Sequence, residues 1–146
     1  MPILIAALAV CASAQVPPCI IQSETVGAVH RGMTAAQARA ALPGATLEPA
    51  EDPDGLPMLS VTRDGVHTLL DLYLDVDEPR KERAKIELIR VFDAHCATRD
   101  GVRPGMPLAA VTGRYGRLRR VMTTESESRE YAEVRKAAIL ARHPGG

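Results

Sequence analysis

Four histidines are the residues of this sequence best suited to acid–base or metal chemistry, and none stands in a motif that supports it. They are His30, His67, His95 and His143. A zinc protease would place two histidines as H-E-x-x-H on one helix face, and a haem attachment site would need C-x-x-C-H. The serines also lack the G-x-S-x-G nucleophile elbow. We therefore expect surface or strand-end histidines, and no catalytic residue, metal ligand or cofactor.

Acidic residues gather in two places. The run Asp52-Pro53-Asp54-Gly55 matches part of a calcium loop, but Ala50 stands where the EF-hand pattern needs an acid or Asn. Asp71, Asp75 and Asp77 would share one face of a strand, because alternate residues of a strand point the same way. We interpret the first group as a turn and the second as a solvated face.

An arginine-rich segment between residues 99 and 120 is the best candidate for a binding surface, since it contains a single acid, Asp100. An arginine donates two hydrogen bonds to one phosphate or carboxylate, so the segment would suit phosphate head groups, acidic glycans or an acidic protein. The alternative is pairing with the glutamates that follow, Glu125, Glu127, Glu130 and Glu133. The candidate arginines are Arg99, Arg103, Arg114, Arg117, Arg119 and Arg120.

The amino terminus predicts export. Residues 3–10 are an uncharged apolar run, and Ala12-Ser13-Ala14 is the small-x-small pattern cut by signal peptidase. We expect residues 1–14 to be a signal peptide and the mature protein to be periplasmic or secreted. The run is shorter than the roughly 20 residues of a transmembrane helix, so none is expected. The alternatives are a lipid anchor on Cys11 and a buried amino-terminal strand.

Cysteine usage agrees with export. If Cys11 leaves with the signal, Cys19 and Cys96 remain as an even pair in an oxidising compartment, which favours a disulfide between them. The alternatives are two buried thiols, or zinc ligation together with His95.

Charge and composition exclude one class of partner. The 146 residues carry 18 Lys and Arg against 18 Asp and Glu, so the formal net charge is zero, whereas nucleic-acid binders normally have a basic excess. Apolar residues make up 46% and aromatic residues 3%, which predicts an aliphatic, alanine-rich core. We expect residues 15–146 to form one domain that binds no nucleic acid.

An internal repeat organises this domain. Gly32-Met33-Thr34 and Gly105-Met106-Pro107 stand 73 residues apart, and each precedes a short alanine-rich segment ending at a glycine turn. Each copy predicts a short helix; the first starts with the N-cap Thr34 and with Gln37 in the capping-box position. We expect an α+β fold of two tandem helix-plus-antiparallel-sheet half-repeats at about residues 26–97 and 98–146.

Alternating residues place the strands of the first copy. Pro57–Arg63 and Val66–Val76 predict a hairpin around Asp64-Gly65, and Lys85–Phe92 predicts a third strand. In the second strand the apolar residues form one face and Asp71, Tyr73 and Asp75 a solvated one. Glu48–Gly55 is expected to be a solvated connector.

The tail can be interpreted in two ways. Residues 125–142 contain strong helix formers, whereas the 73-residue offset lays Tyr131–Val134 over Met58–Val61 and predicts a second hairpin. We follow the repeat. The second copy is then truncated before a counterpart of the third strand, which leaves an exposed sheet edge that another chain could pair with.

Together these motifs resemble a known family. Gly32-Met33-Thr34, a helix ending near Pro43-Gly44 and a following hairpin resemble the module of SmpA/OmlA-type outer-membrane-assembly lipoproteins, and two tandem copies resemble the β-lactamase-inhibitor-protein-like fold. The stretch 98–106 is similar to the second-repeat opening of many exported bacterial proteins. The resemblance implies non-catalytic proteins that bind another protein or an envelope component through the sheet face or loops.

We therefore expect an exported, non-catalytic binding module of the bacterial envelope, whose partner is an envelope protein or an anionic envelope component. One alternative is an inhibitor of a lysozyme or a β-lactamase, which would use aromatic anchors drawn from Tyr73, Phe92, Tyr115 and Tyr131. A second alternative is a small hydrolase.

Overall fold

The computed structural model describes residues 18–123, 130–134 and 140–142, with side chains as far as Arg117. The expected signal peptide at residues 1–14, the possible anchor Cys11, and His143 lie outside these ranges. The described part contains two helices and three sheets, which confirms the α+β fold class.

The elements follow one another in a simple order. The strands are β1 (Ile20–Ile21), β2 (Thr25–Val26), β3 (Val29–His30), β4 (Thr46–Glu51), β5 (Pro57–Thr62), β6 (Thr68–Leu74), β7 (Ile86–Val91), β8 (Ala97–Thr98), β9 (Leu118–Thr123), β10 (Glu130–Val134) and β11 (Leu140–Arg142). Helix α1 (Ala35–Ala41) precedes β4, and α2 (Leu108–Tyr115) precedes β9.

Helix α1 begins as its sequence predicts. The backbone N–H of Gln37 donates to Thr34 Oγ1 at 3.3 Å, and the backbone N–H of Thr34 donates to Gln37 Oε1 at 2.9 Å. This capping box satisfies two donors that the helix itself leaves unpaired. Ala35 and Ala38 are buried, so α1 lays a small-residue face on the sheet that follows.

That sheet, the main sheet, is an antiparallel meander in the order β4-β5-β6-β7. One of its faces builds the core together with α1; the core residues of the sheet are Leu47, Leu59, Val61, Leu70, Leu72 and Ile86. We call this the inner face. The outer face, defined by the side chains that alternate with them on β4 to β7, points away from α1.

The expectation for Glu48–Gly55 is wrong in its first half. Residues 46–51 form β4, which pairs along its whole length with β5. Pro49 has no N–H to donate, but β4 is an edge strand, where one side of the backbone needs no strand partner. Glu48 therefore lies beside the buried Leu47 on a strand, on the opposite face, and the acids at 52 and 54 belong to the turn that follows.

The expectation for β6 is wrong in two respects. The strand spans Thr68–Leu74, not 66–76, and its outer-face residues Asp71 and Tyr73 are only 5% and 6% exposed, not solvated. The reason is position: β6 is a central strand, and side chains of β5 and β7 flank it on both sides.

A second sheet of very short strands, in the order β3-β2-β1-β8, brings the amino-terminal residues to the chain that follows β7. Strands β1 and β8 pair in parallel, and the backbone N–H of Ala97 donates to the Cys19 carbonyl at 3.0 Å. The sulfurs of Cys19 and Cys96 lie 2.03 Å apart, the distance of a disulfide. This sheet was not anticipated, because two-residue strands carry no periodic signal.

The second half also contains a helix and an antiparallel sheet. Helix α2 is followed by an antiparallel sheet in the order β11-β10-β9, so the tail contains strands where its propensity favours helix. Ala35 and Leu108 begin the helices, and Pro57 and Glu130 begin β5 and β10, both pairs 73 residues apart. Gly32 and Gly105 both have left-handed φ, at +85° and +82°. An origin by duplication stays a prediction.

Candidate functional site: a basic turn–helix surface and a polar sheet face

The predicted basic segment divides between a turn, a helix end and a strand. Arg99 and Arg103 lie in the turn between β8 and α2, Arg114 in the last turn of α2, and Arg117 just after it; all four are exposed. Arg119 and Arg120 lie in β9. The structure thus gathers four of the six arginines around one turn–helix unit, which we call the basic surface.

A small buried cluster holds this unit together. Tyr115 donates its hydroxyl hydrogen to Thr98 Oγ1 at 2.6 Å, and the same oxygen accepts from the Val102 backbone N–H at 3.1 Å. Val102, Val111 and Tyr115 form an apolar cluster beneath the turn. The end of α2 is therefore fixed to the start of the turn, and the arginines stand on an ordered scaffold.

The arginines of the basic surface differ in what they contact. Arg114 donates from Nη1 to the carbonyl of Asp100, which closes the turn against the helix. In residues 18–117, where side chains are described, no ion pair includes Arg99, Arg103, Arg114 or Arg117.

The alternative expectation is that the arginines form ion pairs with the glutamates of the tail. The pairing register of β9 and β10 bears on part of it. Glu133 and Arg120 are opposite one another in the backbone register of β9 and β10. Glu125 and Glu127 lie outside the described residues. The exposed guanidinium groups of the basic surface would attract and hold an anion, because each offers several N–H donors in a fixed fork.

A second polar group, missed in the sequence, lies on the outer face of the main sheet. Asp71 in β6 is the cross-strand neighbour of Arg90 in β7, with 3.9 Å between Oδ2 and Nη1. The Arg90 guanidinium also lies 5.0 Å from the ring centre of Tyr73, a cation–π arrangement. A signal was available in the sequence, since Asp71 is the only charged residue of β6 and Arg90 is the only basic residue of β7.

Burial changes the acid–base properties of this group. Loss of solvent raises the pKa of Asp71, against the opposing effects of Arg90 and the Ser60 hydroxyl. The same loss of solvent raises the pKa of Tyr73 to about 12; the charge of Arg90 opposes this shift, and the carboxylates of Asp52 and Asp71 add to it. The Tyr73 hydroxyl is buried and makes no hydrogen bond within the described part of the chain.

The histidines form local contacts. His67 Nδ1 lies 2.5 Å from Asp64 Oδ2, and His95 Nδ1 lies 2.9 Å from Asp93 Oδ1. The hydrogen bonds of His67 hold the pKa of Asp64 far below its usual range. Both imidazoles are exposed, and no hydrogen bond of residues 18–117 joins either one to a hydroxyl or a thiol.

The calcium-like run is a turn, as predicted. Asp52 Oδ1 accepts from the backbone N–H groups of Asp54 and Leu56 at 3.0 and 2.9 Å, so it closes the loop between β4 and β5. Within the described ranges, no three His, Cys, Asp or Glu side chains gather in a way that would hold a metal ion.

Neither α1 nor α2, the helices of the described part, has the length and apolar character needed to cross a membrane. Comparison of the chain with protein-family models, with curated proteins and with solved structures found no match.

Proposed function

We propose that the chain is an exported, non-catalytic binding module of the bacterial envelope, and that its basic surface contacts an anionic partner. The observation that carries the proposal is the group of four exposed arginines fixed around the buried Thr98–Tyr115 hydrogen bond. The proposal of export is supported by the amino-terminal pattern and by Cys19 and Cys96 at disulfide distance.

An ordered scaffold matters for affinity. Binding costs about 0.5–1.5 kcal/mol of conformational entropy for each long side chain that it immobilises, and a further cost for ordering a flexible loop, which is avoided when the backbone is already rigid. The Arg114 bond to the Asp100 carbonyl and the Tyr115 bond to Thr98 supply that rigidity on both sides of the turn. An anion with two or more oxygens, such as a phosphate head group, fits the forked donors of these arginines.

The inhibitor alternative has less support than this proposal. Tyr73 and Tyr115, two of its four possible aromatic anchors, are buried. Phe92 remains half exposed at the end of β7. Among the aromatic residues whose side chains the structure describes, this single exposed ring is a small fraction of the anchor set that such interfaces use.

The test is binding of the mature protein to vesicles that contain phosphatidylglycerol, compared with vesicles of phosphatidylcholine alone. The variant Arg99→Gln/Arg103→Gln/Arg117→Gln removes three charges of the basic surface and leaves Arg114 in its structural contact. We expect it to lose at least tenfold in affinity for the anionic vesicles and to show a flatter salt dependence.

The matched control is Arg80→Gln/Lys81→Gln/Arg83→Gln, which removes the same charge from the exposed loop between β6 and β7. It should bind as the parent does. Equal losses of vesicle affinity in both variants would show that only the net charge of the protein matters. That result would overturn the role of the basic surface. Turnover of a peptide, ester or glycan by the purified protein would overturn the non-catalytic assignment.

A further inference from the structure

We propose that the loop between β6 and β7 is a proteolytic site, at which a protease specific for basic residues cuts the folded chain after Arg80 or Lys81. The product is a folded molecule of two chains that the bond between Cys19 and Cys96 holds together. This proposal is independent of the proposed function, because it concerns a different part of the surface.

The loop is the longest connection between strands of the main sheet. It comprises residues 75–85, whereas the connections from β4 to β5 and from β5 to β6 comprise residues 52–56 and 63–67. Exposed loop tips of polar residues are the preferred sites of proteolytic nicking. A long loop also reaches into the cleft of a protease more readily than a short turn does.

The tip of this loop makes hydrogen bonds only to itself within the part of the chain that the structure describes. At the base of the loop, the backbone N–H of Asp75 donates to the Lys85 carbonyl at 2.9 Å. The hydrogen bonds beyond this base join groups two to four residues apart, such as the Arg83 N–H and the Arg80 carbonyl at 2.8 Å. The tip can therefore open without breaking the sheet, as cleavage requires.

The loop tip offers the side chains that trypsin-type proteases recognise. Trypsin has an aspartate in its specificity pocket, which binds the cation of the residue before the cleaved bond. Arg80 and Lys81 are exposed, and neither forms an ion pair with any side chain of residues 18–117. Arg83 is less suitable, because the next residue, Ala84, is 3% exposed and donates its N–H to the Arg80 carbonyl.

Most other basic residues within 18–117 lie in segments that would have to unfold first. Arg39 and Arg114 are in helices, and Arg90 is in β7. Arg99 and Arg103 are in the turn that the buried apolar cluster fixes from beneath. Opening these segments breaks hydrogen bonds of a helix, a sheet or a buried cluster, so it costs more free energy than opening the loop tip.

Two further arginines stand at short turns that are closed by acidic side chains. The backbone N–H of Arg31 donates to the Glu24 carbonyl at 2.9 Å, and its guanidinium pairs with the Glu24 carboxylate at 3.2 Å. Arg63 precedes Asp64, whose carboxylate accepts two backbone N–H groups of the turn. These contacts hold both arginines in tight turns, whereas the loop between β6 and β7 has no such connection to its surroundings.

Cleavage is a hydrolysis in which one water adds across the peptide bond. The carbonyl carbon gains the hydroxyl group and becomes a carboxylate, and the nitrogen leaves as an amino group that takes up a proton. No oxidant or reductant takes part. The cut lies between Cys19 and Cys96, so the disulfide joins the two products.

Non-covalent pairing keeps the two products folded together. Strands β6 and β7 lie on opposite sides of the cut and pair from Leu70 and Val91 to Leu74 and Ile86. Strands β1 and β8 also lie on opposite sides of it and pair in parallel. The first product therefore contains α1 and β4 to β6, and the second contains β7 and the basic surface.

Limited digestion of the mature protein with trypsin tests the proposal. Peptide masses over time give the cleavage rate at each basic residue, and we expect the loop to be cut at least tenfold faster than any other bond within residues 18–117. This rate should not change in urea below the unfolding transition, because the cut requires only local opening. A first cut after Arg117 or in the turn of the basic surface, or a loop rate that rises with urea, would overturn the proposal.

Two variants separate the loop from the basic surface. Arg80→Gln/Lys81→Gln/Arg83→Gln should abolish cleavage in the loop by trypsin, yet subtilisin, which has broad specificity, should still cut this variant there first. The matched control Arg99→Gln/Arg103→Gln/Arg117→Gln should be cut in the loop by trypsin as fast as the parent is. Subtilisin cleavage that begins elsewhere within residues 18–117 would show that the loop is not the accessible segment.

The state of the product is tested on the cut protein itself. The two fragments should stay linked in a non-reducing denaturing gel and separate after reduction. Cut protein that has also been reduced should unfold at a urea midpoint that rises with protein concentration, since its chains are then two molecules; the oxidised cut protein should show no such dependence. Fragments that separate without reduction would overturn the two-chain product.

Discussion

At the scale of single residues, two buried tyrosines differ in whether the hydroxyl group makes a hydrogen bond. Tyr115 and Tyr73 have nearly equal exposures, 7% and 6%. The hydroxyl of Tyr115 donates to Thr98 Oγ1, whereas that of Tyr73 has no partner within the described part of the chain. A buried donor that makes its bond stabilises the fold modestly, while one without a partner bears the full cost of losing water.

The comparison predicts opposite outcomes for the same substitution. Tyr115→Phe should lower the free energy of unfolding by about 1 kcal/mol, because it removes a satisfied hydrogen bond. Tyr73→Phe should leave the free energy of unfolding unchanged or raise it, because the deleted hydroxyl satisfies nothing. Urea unfolding of the parent and the two variants measures both changes. A greater loss in Tyr73→Phe than in Tyr115→Phe would contradict this account.

At the scale of elements, the start of α1 is a place where sequence and structure agree in detail. Thr34→Ala removes the acceptor for the Gln37 N–H, and we expect the free energy of unfolding to fall by about 1 kcal/mol. Thr34→Ser keeps the hydroxyl and serves as the control, with a much smaller effect. Thermal unfolding checks the pair; equal losses in the two variants would show that the Thr34 methyl group, and not its oxygen, supports the helix.

How far elements can be predicted depends on whether their signal is local. The α1 cap and the Asp52 turn depend on side chains a few residues apart, so they are readable in the sequence. The β4 strand and the buried outer face of β6 depend on which strands become neighbours. The polar residues of both segments led to the wrong prediction that they are solvated. For the same reason the Asp71–Arg90 pair was missed, although the strands that carry it were anticipated.

The tail shows the opposite case. There, comparison with the segment 73 residues earlier in the chain predicts the structure better than local helix propensity does. Residues 125–142 favour a helix by composition, yet the structure contains β10 and β11 at the positions that the 73-residue offset assigns to strands. A strand needs a partner from elsewhere in the chain, and β9 provides it for β10. Tertiary pairing therefore outweighs helix propensity here.

At the scale of the whole molecule, the Cys19–Cys96 pair determines how the amino-terminal strands are attached. The two residues are 77 positions apart and immediately precede β1 and β8, which pair in parallel. These strands have two residues each, and isolated strands of that length are too short to be stable by themselves. The covalent bond supplies what the hydrogen bonds of such a small sheet cannot.

Loss of this bond should therefore act on both stability and local order. Closing a loop of this length restricts the unfolded chain by about 4–5 kcal/mol on the chain-entropy estimate, which is comparable with the whole stability of many small domains. We expect Cys19→Ser/Cys96→Ser, and the parent under reducing conditions, to unfold at much lower urea concentration. Hydrogen exchange should show β1, β2 and β3 losing protection before the main sheet does, because the strands of the main sheet pair without the disulfide.

Intact mass of the non-reduced mature protein establishes the starting state, since a disulfide removes two hydrogens. Equal urea midpoints for the oxidised and reduced parent, with the bond present in the first, would show that the small sheet contributes nothing to global stability.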